Sequence, residues 1–329
     1  MITPARLAAA ARVPPAPRTH RGARLRLFYA DHFVLPLPAG HRFPMEKYAR
    51  LRERLLASGA FAPGDFAVPE AASDAEILRA HDPAYLDRVL RGALDAAEQR
   101  RIGFPWSPGM VERSRRSAGA TLAACRSALA GGWAANLAGG THHAHRDFGS
   151  GFCVFNDAAI AALAMRAEGR VRRVAIVDCD VHQGDGSAAI LAAEDEVFTC
   201  SLHGAKNFPF RKQRSDLDVE LADDTGDEAY LAALDGALAR VFDDFRPELV
   251  IYLAGADPYA DDRLGRLALS IEGLAARDER ILDRCRAAAV PVAIAMAGGY
   301  ARTIDDTVAI HANTLLRAAR LFAPKEATA

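Results

Sequence analysis

The run VRRVAIVDCDVHQGDG, residues 171–186, sets an apolar segment directly against Asp178, Asp180, His182 and Asp185. The first half reads as a buried strand, a short apolar run bounded by polar residues and glycine. The second half crowds three carboxylates and an imidazole into eight positions. Each carboxylate raises its neighbours' pKa and desolvation raises it further, so the cluster is costly unless something positive neutralises it. A metal ion meets that need; a solvated loop or a helix cap is the plainer alternative. In an extended segment alternate side chains share a face, so Asp178, Asp180 and His182 point one way and Cys179 and Val181 the other. That geometry suits ligands on the first face and argues against Cys179 as one.

Outward from this run the chain alternates short apolar segments with longer helical patterns, which predicts βαβ units and a mainly parallel sheet flanked by helices. Strands are expected at 134–140, 171–178, 196–203, 248–257 and 291–300, with helices between them opened by caps such as Ser107 and Asp227. The unusual residues fall at the strand ends, in GGTHHAH, DCDVHQGDG, SLHGAKNF, GADPYADD and AGGY. Open parallel sheets bind ligands in the crevice beyond the carboxyl ends of their strands, so five such ends point to one site.

Composition narrows the function classes. Lysine and arginine number 41 against 42 acids, a balance that signals neither nucleic acid nor an anionic membrane as a partner. Five separated cysteines without a CxxC pair fit a reducing, cytoplasmic setting rather than a disulfide framework. No apolar run reaches the roughly 18 to 20 residues of a membrane span. The first 26 residues hold six arginines and no acid and are expected to form a flexible tail, with a transit peptide as the alternative; 27–329 are expected to form one domain.

A catalytic zinc usually takes three protein ligands and keeps one position open. Asp180 and His182 supply two, and Asp257 is the best candidate for the third, because a buried strand has no packing reason to end in a carboxylate. Such an oxygen-rich set also accepts iron(II). His142 and His143 sit at an irregular strand end where both rings can turn into one crevice, and Asp178 and Asp185 can each accept from an imidazole N–H. A structural pair is the alternative. Tyr300, beside two glycines, can reach in as a donor to an oxyanion, or is a core tyrosine.

Taken together and in order, GGTHHAHRDFGSGFCVFND, VAIVDCDVHQGDGS, VFTCSLH, YLAGADPYADDRLGRLALS and AGGYART resemble the zinc-dependent histone deacetylase family, closest to its class IV-like and bacterial branch. The resemblance runs from about residue 27 to 320. It implies an α/β arginase/deacetylase fold and hydrolysis of an acylated amine. It also implies Asp180, His182 and Asp257 as zinc ligands, His143 with Asp185 as general base and acid, His142 with Asp178 as electrostatic support, and Tyr300 as the carbonyl-polarising group. Gly151, Phe152 and Phe208 resemble the substrate tunnel, and Asp178 and Ser201 the surroundings of a structural K+. One departure stands out: many relatives carry a rim aspartate in the loop where this chain has Gly103, and no acid lies between Glu98 and Glu112.

The expected function is zinc-dependent removal of acyl groups from lysine in proteins or peptides, with no nucleic-acid or membrane partner and with a homo-oligomer left open. An acetylpolyamine amidohydrolase is the first alternative and a catalytically silent acyl-lysine binding module the second. QRRIGFPWSPGMV, residues 99–111, tilts the choice away from polyamines, since its two arginines repel a polycation; Phe104 and Trp106 either face the substrate or pack into the core.

Overall fold

A computed structural model describes residues 26–38 and 40–323; apart from Arg26, the segment expected to be a flexible tail lies outside the described residues. Eight strands form one sheet: β1 (Leu27–Phe28), β2 (Phe66–Ala67), β3 (Trp133–Asn136), β4 (Val174–Asp178), β5 (Val197–Gly204), β6 (Leu217–Leu221), β7 (Leu249–Leu253) and β8 (Val292–Ala295). Their order is β2-β1-β3-β8-β7-β4-β5-β6, and every pairing is parallel. The period-2 alternation of side chains divides each central strand between two apolar cores. Val174 and Ile176 of β4 pack on one face with the helices Pro108–Gly131 and Asp157–Ala167, whereas Ala175 and Val177 face the helices Asp227–Ala239, Ile271–Ala287 and Ile304–Leu321. The result is the three-layered α/β architecture expected.

Three strands fall outside the five expected segments. β1 and β2 have two residues each, too short for any periodic signal, and β6 is a partly exposed edge strand whose five residues, LDVEL, alternate apolar and acidic over too short a run to stand out. Three of the expected strands end early, β3 at Asn136, β7 at Leu253 and β8 at Ala295, so the glycine-rich residues that follow are irregular, whereas β4 ends at Asp178 as expected and β5 runs one residue further, to Gly204. Ser107 does cap its helix, accepting from the Met110 N–H at 3.1 Å. Asp227 does not cap its own; Gly226 occupies that position, and the Asp227 carboxylate accepts instead from the Ser270 N–H and hydroxyl.

What matters for function is that β3, β8, β7 and β4 are consecutive neighbours. The segments after them carry His142 and His143, Tyr300, Asp257, and Asp180 with His182, so the sheet order alone gathers these residues at one edge.

Candidate active site

Asp180, His182 and Asp257 offer one donor atom each, all within 4.8 Å of one another, a grouping that could hold a metal ion. His182 Nδ1 lies 2.9 Å from Asp180 Oδ1 and 3.4 Å from Asp257 Oδ2. The backbone steers the remaining oxygens: the Val181 N–H donates to Asp257 Oδ1 and the Gly298 N–H to Asp180 Oδ2, at 2.9 and 2.7 Å. Asp257 Oδ2 is left fully buried without a hydrogen-bond partner, an arrangement that a bound cation resolves. Burial, and then the charge of Asp180, pushes the Asp257 carboxyl up to about 7. Burial opposes protonation of His182, but its hydrogen bond to Asp180 and the nearby charges of Asp180 and Asp257 win and lift it to about 10. This donor set, two buried carboxylates and an imidazole with one carboxylate oxygen left unpartnered, fits a divalent ion such as zinc or iron(II).

Glycines hold the set together. A Cβ on Gly298 would fall 1.9 Å from Asp257 Oδ2, and one on Gly255 would fall 2.7 Å from the Asp180 Cα. Behind the ligands, the fully buried Arg277 donates to the carbonyls of Cys179 at 3.2 Å and Gly255 at 2.6 Å, with Asp278 as its counter-ion at 2.8 Å. Arg277 therefore ties together the two loops that carry the three ligands. Cys179 itself sits in the apolar core with its thiol pushed up to about 12 by burial, so it is not a ligand.

Both histidines turn into the crevice, their ring centroids 4.1 Å apart. His142 Nδ1 lies 2.6 Å from Asp178 Oδ2, and His143 Nδ1 lies 2.6 Å from Asp185 Oδ1. A carboxylate only accepts, so each Nδ1 carries the proton and each Nε2 is turned away from its partner. The pairs are tuned apart. Burial would lower His142, yet the charges of Asp178 and Asp180 outweigh it and raise the ring to about 9. Burial and the charge of His142 push His143 down to about 4 despite Asp185. The surroundings thus push two adjacent imidazoles in opposite directions, one up and one down. His145, which the sequence reading passed over, also binds Asp185, through Nε2 at 3.1 Å.

Tyr300 is buried, and burial followed by the charges of Asp257 and Asp180 raises its phenol well above the ordinary range, so it remains a donor. Asp262 fixes its backbone by accepting from the Tyr300 N–H at 2.6 Å. Gly151, in the left-handed region at φ 53°, brings the chain against the His143–Asp185 pair; a Cβ there would lie 2.7 Å from His143 Cδ2. Phe152 and Phe208 line the same cavity of about 780 Å³ that holds Asp180, His182, Asp257, His142, His143 and Tyr300. Phe104 joins that lining, its ring 5.4 Å from Phe152, while Trp106 packs inward and donates its indole N–H to the Val89 carbonyl. Gly103 has φ 84°, and a Cβ there would lie 2.8 Å from the Phe152 ring, so an acid at this position would have to adopt a left-handed backbone and displace that ring.

Residues 41–315 match the family model for the histone deacetylase domain. The chain is 44% identical over 292 residues to an uncharacterized protein of Picosynechococcus, covering 89% of this chain and 97% of that one. It is 33% identical to a histone deacetylase-like amidohydrolase of Pseudomonas aeruginosa, covering 80% and 74% of the two chains. The crystal structure of an HDAC homolog from Aquifex aeolicus shares the fold at a TM-score of 0.76, with 22% identity over 90% of this chain and 84% of that one. On the match over residues 41–315 and these relatives, and with its candidate metal ligands, paired histidines and tyrosine gathered at the ends of four neighbouring strands, the chain belongs to the histone deacetylase family of amide-bond hydrolases.

Proposed function

We propose that this protein removes acyl groups from lysine side chains of proteins or peptides. The observation that carries the reading is the unsatisfied Asp257 oxygen within the Asp180–His182–Asp257 set, beside two buried His–Asp dyads in one aromatic-walled cavity. A divalent cation held there, zinc or iron(II), supplies Lewis-acid chemistry that polarises an amide carbonyl and acidifies a water. His143, neutral at pH 7 and oriented by Asp185, takes the attacking water's proton at Nε2 and returns it to the leaving amine. His142, kept charged by Asp178, stabilises the negative charge that develops on the former carbonyl oxygen. The Tyr300 hydroxyl donates to the same oxygen.

Gly151, Phe152 and Phe208 form apolar wall suited to the methylene stem of lysine, whose charge is masked by acylation. Asp178 and Ser201, paired in register on β4 and β5, belong to the same reading as neighbours of a structural K+. Five buried free thiols fit a cytoplasmic protein, and no helix among the described residues is long and apolar enough to cross a membrane. The test is a side-by-side comparison of acetyl-, butyryl- and longer acyl-lysine peptides with acetylputrescine and acetylspermidine. The peptides are expected to show the higher kcat/KM; a clear preference for the acetylpolyamines would overturn the substrate assignment.

A further inference from the structure

The cavity that leads to the metal-binding set is lined by six exposed cations: Arg42, Arg100, Arg101, Lys206, Arg263 and Arg266. The acids in that lining are Asp180 and Asp257, both committed to the metal set. The cations come from four separate segments of the chain. Arg266 and Lys206 share Asp223, at 2.6 and 3.4 Å. Among the described residues Arg42, Arg100, Arg101 and Arg263 have no ion pair: Arg101 lies over the Phe148 ring at 4.7 Å, and Arg263 donates through Nε to the Tyr300 carbonyl at 3.0 Å. A chain of formal net charge −1 therefore gathers six exposed cations along the lining of this cavity. Phe210, 86% exposed, offers an apolar contact beside it.

We infer that this basic mouth selects acyl-lysine peptides in which the acylated lysine is flanked by aspartate or glutamate. The inference rests on the acyl-lysine reading above and adds to it the charge of the surrounding sequence. Acylation removes the charge of the target lysine, so the electrostatic signal left for the mouth comes from the neighbouring residues. A cleft lined by one sign of charge raises the local concentration of an oppositely charged substrate and speeds its capture, in a manner that salt weakens.

The experiment uses the full chain and three acetyl-lysine peptides of equal length, flanked on both sides by Asp-Glu, Ala-Ala or Lys-Arg, at 0.05 and 0.5 M NaCl. At low salt the acidic peptide should exceed the basic one in kcat/KM by about tenfold or more, the lower end of what focused fields supply. The difference should lie in KM and shrink at high salt. Arg42→Glu with Arg100→Glu should narrow or reverse the acidic-to-basic ratio, a ratio within one protein that cancels any loss of folded enzyme. Equal turnover of acidic and basic peptides, or a preference indifferent to both salt and substitution, would overturn the inference while leaving the acyl-lysine reading intact. Inhibition by a single-stranded oligonucleotide at lower concentration than by an acidic peptide lacking acetyl-lysine would reassign the cations to nucleic acid and overturn it as well. If all three peptides are inert and acetylspermidine is hydrolysed, the acyl-lysine reading fails first and this inference with it.

Discussion

Nδ1 of His143 lies 2.6 Å from Oδ1 of Asp185, whose other oxygen takes Nε2 of His145 at 3.1 Å. One carboxylate thus anchors two imidazoles, and only the His143 ring lies against His142 and Phe208 in the cavity. Replacing His143 with alanine should reduce kcat by about 10² to 10⁴, the contribution typical of a positioned general acid–base. Steady-state kinetics of His143→Ala and His142→Ala decide the assignment, and a far larger loss in His142→Ala would reverse the two roles.

Tyr300→Phe removes a hydroxyl and leaves the ring packing in place. The expected loss is about a hundredfold or more in kcat, as for removal of a single oxyanion donor, with metal content by elemental analysis unchanged. A wild-type rate would make Tyr300 a packing residue.

Gly298→Ala tests the metal set from the backbone side, since the added methyl would sit 1.9 Å from Asp257 Oδ2 and 2.6 Å from Asp180 Oδ2. Folded protein recovered with little or no bound zinc is the expected outcome. Full metal occupancy would show that the set lies elsewhere.

Much of this site was legible because its signals are local. The alternation in DCDVH placed Asp178, Asp180 and His182 on one side and Cys179 on the other, as the thiol's place in the core and the 2.6 Å His142–Asp178 contact agree. Asp257 stood out as a carboxylate ending an apolar run. Arg277 did not, because ARDER within the helix Ile271–Ala287 reads as a solvated charged face. Helical spacing did hold the clue: Leu274, Arg277, Asp278 and Ile281 follow the i, i+3, i+4, i+7 pattern of an inward face, and all four are buried. What no spacing could supply is the long-range closure, such as the approach of Gly298 to Asp257 or of Gly103 to Phe152. The short strands β1 and β2 escaped for the same reason, since their pairing partners and not their two residues define them.

Arg277→Met leaves Asp278 as an uncompensated buried charge and the Cys179 and Gly255 carbonyls without their donor. Removing one partner of a buried pair costs about 3–5 kcal/mol, so denaturant unfolding should show a loss of that order. Zinc affinity, read against a competing chelator, should weaken by about 10- to 100-fold, as when a group supporting metal ligands is lost. Unchanged values in both measurements would contradict the role given to Arg277.

Acid should destabilise the protein through His81, which is buried and accepts from the Asn156 N–H at 2.9 Å. Burial lowers its pKa from 6.5 to about 4. The unfolded chain therefore binds a proton that the native ring refuses, so this contribution is complete above pH 6.5 and is lost as pH falls toward 4, by up to ~1.4 kcal/mol per unit. His81→Gln, whose amide oxygen can accept the same N–H, should flatten the fall of urea-unfolding stability across that window. An identical slope in the variant would remove His81 from the account.

The most direct measurement is reconstitution: chelator-stripped protein is titrated with zinc, and acetate released from an acetyl-lysine peptide is followed in the wild type and in Asp257→Ala. The expected result is no turnover without metal, full turnover at one equivalent in the wild type, and neither tight zinc binding nor turnover in the variant. Turnover by stripped protein, or an Asp257→Ala enzyme that binds zinc and hydrolyses the peptide like the wild type, would contradict it.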